Sequence, residues 1–195
     1  MGEETKRRAA RMEPEQRRQQ FLDVAIRLFC EHGVDSTTMH QIAQGSGVSY
    51  GLFYHYFKSR DELLEAAIGR MSVLPQVQEY LGKVDRPARE HLRGLPGFYL
   101  GLLESRRDIV WLVFSESRKR PWLASRFSDL AVLFRKALYD YLAARQGCGE
   151  IRAGTDLDVA TRVIWSYLFM RHLWIEEEPP AEEHLDVILN GLLDQ

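Results

Sequence analysis

The 195-residue chain contains only two cysteines, Cys30 and Cys148. Two thiols build neither a disulfide framework nor a four-ligand zinc site, and they read as reduced cysteines of a cytosolic protein. No apolar run approaches the roughly 20 residues of a membrane span, because Arg, Glu or Asp interrupts every hydrophobic stretch. The first 14 residues are charged and lack the apolar centre of a secretory signal, so the expectation is a cytoplasmic protein. Catalytic signatures are missing too: no Ser, Cys or Thr nucleophile motif, no phosphate-cradling glycine loop, no His-Glu-x-x-His and no paired carboxylates in a recognisable context. No cofactor motif is present. Charge of one sign is missing as well, since 26 basic residues face 28 acidic ones for a net −2.

That balance conceals a split. Residues 1–60 carry nine basic and seven acidic residues, a net +2, which leaves 17 basic and 21 acidic residues, a net −4, for the remainder. Between Asp35 and Asp61 there is no carboxylate, yet His40, His55, Lys58 and Arg60 lie in that window. Such a stretch tolerates a polyanion.

With 45% hydrophobic residues the chain has material for a core, and helical periodicity runs throughout without sustained alternation. The fold class expected is all-α. Pro14 and Glu15 start a first helix whose apolar stripe is Phe21, Leu22, Ala25, Leu28 and Phe29, ended by Gly33. Thr37 and Thr38 cap a short second helix through Ala43, broken by Gly45, Ser46 and Gly47. A third runs from Val48 to Phe57. A fourth starts at Ser59 and continues through Leu63, Leu64, Ala67, Ile68 and Met71 until Pro75. Beyond it, Pro87, Pro96, Pro121 and the 147–154 stretch punctuate helices near 87–104, 106–117, 122–145, 156–177 and 182–193. The organisation expected is a basic tail (1–13), a helix-turn-helix domain (14–60), a linking helix (60–74) and a larger helical domain (75–195).

Two short helices joined by a glycine-containing turn place the second in the DNA major groove. At about 100° per residue, Leu52, Phe53 and Tyr56 fall on one side of it and Tyr50, Gly51, Tyr54 and Lys58 on the other. The first side is expected to be core. The second combines phenol hydroxyls, a missing side chain and a cation, which suits approach to phosphates and base edges. Competing readings exist for single residues: packing for Tyr54 and His55, plain solvation for Lys58 and Arg60, and a solvated tail against a minor-groove arm for Lys6–Arg11.

The run Thr37-Thr38-Met39-His40-Gln41-Ile42-Ala43, then Gly47-Val48-Ser49-Tyr50-Gly51-Leu52-Phe53-Tyr54-His55-Tyr56-Phe57-Lys58-Ser59-Arg60, then Leu63-Leu64, resembles the DNA-binding domain of the TetR family of transcriptional regulators. The likeness covers about residues 15–70. It implies that Thr38, Ser49, Tyr50, Gly51, Tyr54, His55 and Lys58 lie where family members commonly touch DNA, with Ile42, Ala43, Val48 and Phe53 in the core. Arg60 stands where the family often has a lysine facing a phosphate. Two departures are Ser46, at a position usually alanine, and Tyr50, where a small or basic residue is frequent.

The resemblance further implies a helical domain that binds a small-molecule effector and forms a homodimer on an operator. The composition agrees: 14 of 21 aromatics, with all four tryptophans, follow residue 60. Phe98, Trp111, Phe114 and Trp122, with Phe127, Phe134, Trp165 and Phe169, are candidates to line an apolar pocket, each with a plain core role as the competing reading. A stripe of Ala160, Val163, Ile164, Tyr167, Leu168 and Trp174 with Leu185, Ile188, Leu189 and Leu192 is the expected dimer surface, the alternative being closure of the chain's own core. Glu176–Glu178 with Glu182, Glu183 and His184 read as a solvated face, not a metal site. The function expected is a ligand-responsive regulator, most simply a repressor, with an all-α enzyme or a helical adaptor as alternatives.

Overall fold

In the computed structural model, residues 12–83, 85–173 and 181–192 are described, and among them all regular structure is helical. The order is α1 (Pro14–His32), α2 (Met39–Gly45), α3 (Tyr50–Tyr56), α4 (Arg60–Met71), α5 (Leu74–Gly82), α6 (Ala88–Glu104), α7 (Arg107–Ser117), α8 (Pro121–Gly147), α9 (Leu157–Leu173) and α10 (Ala181–Leu192). The expected basic tail, Trp174 and the Glu176–Glu178 run lie outside the described residues, as do the side chains of Glu182, Glu183, His184 and Leu192.

α1 begins as its sequence demands, with Pro14 in the first turn, and stops at Gly33, whose φ of 82° needs a residue without Cβ. Its buried stripe is Phe21, Leu22, Ala25, Ile26 and Phe29. α4 buries Leu63, Leu64, Ala67, Ile68 and Met71. Both helices pack on α7, while α8 contacts α5, α7 and α9, and α10 lies on α6. The buried side chains form one continuous cluster from Phe21 to Leu189.

Two expectations about proline need correction. Pro75 ends α4's run, but it also opens α5, a helix absent from the sequence reading, because a ring with fixed φ and no N–H fits a first turn. Pro96 does not punctuate. It sits buried inside α6, where the ring cannot donate to the carbonyl four residues earlier.

Charged side chains tie α7 and α8 to the N-terminal helices. Arg120, ahead of α8, meets Asp35 at 2.6 Å, Asp61 at 3.5 Å and the buried Glu116 of α7. Arg126 of α8 meets Glu65 of α4 at 3.0 Å. A second polar knot lies between α5, α6 and α8. The fully buried His91 places Nε2 3.0 Å from the Tyr80 carbonyl, between the rings of Tyr80 and Tyr141. Beside it the Arg145 guanidinium donates to Glu150 (2.6 Å) and to the Arg86 carbonyl (2.9 Å).

Candidate nucleic-acid interface and neighbouring cavity

Local chemistry sets the ends of α2, the turn and the start of α3. Thr38 caps α2, its Oγ1 accepting from Gln41 N at 3.2 Å while Gln41 Oε1 accepts from Thr38 N at 2.7 Å. This reciprocal box satisfies two otherwise orphaned donors. At the other end Val48 N donates to Ala43 O and Gly47 N to Gln44 O, the paired bonds of a Schellman stop, with Gly47 at φ 68°. Gly45 lies close to α1: an added Cβ would stand 3.0 Å from Val24 Cγ1, which would have to give by a few tenths of an ångström. Ser46, the unusual residue here, is buried without penalty because its hydroxyl donates to Ile42 O at 2.8 Å. Ser49 then caps α3 through Leu52 N.

α3 is held by aromatics. Phe53 and Phe57 are fully buried, and Phe21 of α1 receives Phe53 and Tyr56 edge-on, each at 5.2 Å. Such pairs add about 0.5–1.5 kcal/mol beyond burial. The opposite face carries Tyr50 (37% exposed), Gly51, Tyr54 (44% exposed), His55 and Lys58. The Lys58 ammonium stands 4.5 Å over the Tyr54 ring. Gly51 has helical φ, and a Cβ there would meet nothing within 4 Å. No contact among the described residues therefore calls for glycine, which costs a helix interior roughly 0.5–1 kcal/mol relative to alanine.

Two expected roles change. Leu52 does not join the core: it is 42% exposed beside the reading face, because a seven-residue helix lying at the surface buries only the narrow stripe of Phe53 and, partly, Tyr56. Arg60 does not point outward. Its guanidinium donates to the carbonyls of Val34 (3.0 Å) and Asp35 (2.8 Å), closing the loop between α1 and α2. The carboxylates that flank the window are also engaged: Asp35 and Asp61 meet Arg120, and Glu62 accepts from Lys58 N at 2.6 Å. Sequence reasoning missed His40 as a partner of this face. Its ring stacks on Tyr50 across the turn at 4.2 Å, and a ring pair of that kind has no periodic signal.

A cavity of about 50 Å³ lies where α4 ends, walled by α6, α7, α8 and α9. Phe127, Phe134, Trp165 and Phe169 line it with Tyr99, together with Met71, Ser72, Val73, Leu74, Leu103 and Val110, which the aromatic pattern alone did not mark. Phe98, Trp111, Phe114 and Trp122 are not among its walls. Phe98 instead stacks on Tyr80 at 4.4 Å, and Trp111, 37% exposed, meets Phe114 edge-on. Helical spacing could not distinguish these faces, because both are apolar. Among the described residues no charged side chain lines the cavity. Burial pushes the Tyr99 phenol well above its ordinary value, so it stays protonated.

The expected dimer stripe is also redistributed. Ala160, Ile164 and Leu168, with Leu185 and Leu189, turn into the chain's own core. Val163 of that stripe stays exposed, and Val159 and Met170 of α9 and Val187 of α10 are exposed with it.

A capped short helix, a tight glycine turn and a second short helix whose outer face is aromatic, basic and free of carboxylates define a helix-turn-helix DNA-binding protein. Residues 21–67, which contain this whole unit, match the family described as bacterial regulatory proteins, tetR family. The chain thus carries a tetR-family DNA-binding domain and resembles transcriptional regulators over most of its length. It is 23% identical over 193 residues to the HTH-type transcriptional repressor KstR2 of Mycolicibacterium smegmatis, covering 92% of each chain. Two solved structures share its fold. The ketosteroid transcriptional regulator KstR2 of Mycobacterium tuberculosis has a TM-score of 0.64 at 24% identity, over 95% of this chain and 98% of that one. NalD, the secondary repressor of the MexAB-OprM multidrug efflux pump in Pseudomonas aeruginosa, has a TM-score of 0.73 at 20% identity, over 93% of this chain and 98% of that one.

Proposed function

We propose that the protein is a cytoplasmic repressor that binds a palindromic operator as a homodimer and is released by a small neutral effector, apolar or aromatic. The observation that carries this reading is the position of the cavity. Met71, Ser72, Val73 and Leu74, where α4 passes into α5, form part of its wall, and α4 starts next to the reading helix. At about 50 Å³ the cavity is far smaller than the roughly 300–1,000 Å³ of sites that hold drug-sized ligands. An effector therefore enters only by spreading α4, α6, α8 and α9, and that displacement reaches the reading helices. Its differential affinity for the spread state sets how much DNA binding falls.

The uncharged wall selects a neutral molecule, and the Tyr99 hydroxyl, which has no hydrogen-bond partner among the described residues, provides one polar handle. The ketosteroid in the description of the mycobacterial KstR2 structure belongs to that chemical class. The assigned DNA contacts are Ser49, Tyr50, Gly51, Tyr54, His55 and Lys58, with Thr38 shaping the helix end. The exposed residues Val159, Val163, Met170 and Val187 support an isologous dimer surface.

Selection from a randomised duplex pool tests the reading. The protein is expected to enrich a palindrome whose affinity falls steeply with salt as phosphate contacts release counterions. Lys58→Ala should make the salt slope shallower by about one without unfolding the chain. No enrichment at low salt, or a monomer by light scattering with and without DNA, would overturn it.

A further inference from the structure

His40 and Tyr50 belong to different helices, yet their rings lie parallel, 4.2 Å apart and within 9°. Tyr50 in turn leans on Tyr54 at 5.7 Å, and Lys58 covers the Tyr54 ring. The row His40, Tyr50, Tyr54, Lys58 thus crosses from α2 to the end of α3, and every member is exposed. A solvent-facing tyrosine on a helix ordinarily samples more than one χ1 well, and it loses that freedom when it docks. Stacked against His40, the Tyr50 ring is held in one orientation before DNA arrives. Among the described residues His40 is exposed and makes no hydrogen bond, ion pair or second ring contact, so the pair is not a by-product of core packing.

We propose that His40 is a specificity-determining positioning residue: it holds the Tyr50 ring so that the phenol hydroxyl meets one base pair in the major groove. A hydroxyl both donates and accepts, so alone it discriminates poorly. Held at a fixed height and angle it meets a single donor or acceptor on the base edge, and its discrimination then depends on the stack. The inference rests on the reading that α3 enters the groove.

The test uses the duplex that the native full-length protein enriches from a randomised pool, together with all its single-base variants. Affinities are measured for the native protein, His40→Ala, His40→Phe, Tyr50→Ala and the double variant His40→Ala/Tyr50→Ala. His40→Ala is expected to weaken binding to the selected duplex about 3- to 10-fold and to flatten discrimination at the base pair where Tyr50→Ala also flattens it. His40→Phe, which keeps a flat ring, is expected to restore both. The double variant should bind no worse than Tyr50→Ala, because His40 acts through Tyr50.

Native-like discrimination in His40→Ala overturns the proposal, as do additive losses in the double variant. A uniform loss across all duplexes with a salt slope shallower by about one also overturns it, since that is the signature of a phosphate contact. If the native protein enriches no duplex, the DNA-binding reading itself fails, an outcome distinct from any difference among the variants.

Discussion

The reading face and the cavity differ in how they are built. The face spans barely twenty residues, and most of its supports are local, a cap at Thr38, a stop at Gly47 and a cap at Ser49, while the Phe53 ring rests on Phe21 of α1. The cavity draws its wall from residues as far apart as Met71 and Phe169, and no segment of the chain contains it. The face is exposed and polar, shaped for a partner larger than the protein's own elements. The cavity is apolar and small, so occupying it requires motion. A regulator needs this division, because the reader must be rigid and the sensor must yield.

The strongest challenge to the comparison is Phe53→Ala. It removes the ring on which α3 rests, and truncating a fully buried Phe costs about 3–5 kcal/mol. Loss of DNA binding and a matching drop in denaturation midpoint are expected. A variant that kept its DNA affinity would show that the face does not depend on this packing.

Phe134→Leu enlarges the cavity instead, at about 1–2 kcal/mol. Chemical denaturation should register that loss while affinity for the selected duplex stays within about two-fold. A larger change in affinity would mean that sensor and reader are already coupled in the empty protein.

Stability should also respond to pH through His91. Burial holds its pKa below the ordinary value, with Arg86 and Arg145 opposing the charge and the Tyr80 carbonyl and Asp85 favouring it. As pH falls below about 6.5, the unfolded chain takes up a proton that the folded one refuses. Stability is therefore full above that value and declines as pH falls towards the lower folded pKa. His91→Gln should flatten this dependence in denaturation curves at pH 5 to 8; an unchanged slope would remove His91 as its cause.

The smallest effect is expected from Gly51→Ala. The methyl meets no protein atom, so the helix should gain roughly 0.5–1 kcal/mol while operator affinity drops. If affinity held, close approach of DNA would not be the reason for glycine.

Much of the reader was legible because its signals act over three or four residues. Thr38 and Ser49 announce caps, Gly47 a stop, and the absence of carboxylates between Asp35 and Asp61 a polyanion partner. Where the reading failed, a non-local contact had intervened. Arg60 looked like a phosphate cation until its guanidinium closed on carbonyls 25 and 26 residues earlier. Leu52 looked apolar and inward, but a short helix at the surface buries only a narrow stripe.

The later helices show the same limit more strongly. Their apolar character was evident, and so was the abundance of aromatic rings. Which rings surround a void, which stack elsewhere and which apolar residues stay exposed depended on how helices far apart in sequence are rotated against each other. Phe98 and Tyr99 are adjacent in the chain, yet one stacks on Tyr80 and the other faces the cavity. The sequence by itself determined an all-helical chain and a DNA-reading unit at residues 38–58, because caps, turns and periodicity are written within single turns of helix. The cavity at the end of α4, the apolar surface of α9 and α10, and the His40–Tyr50 stack were decided only by tertiary packing. Each depends on the relative position of separate helices, and that is set by the shape of the shared core.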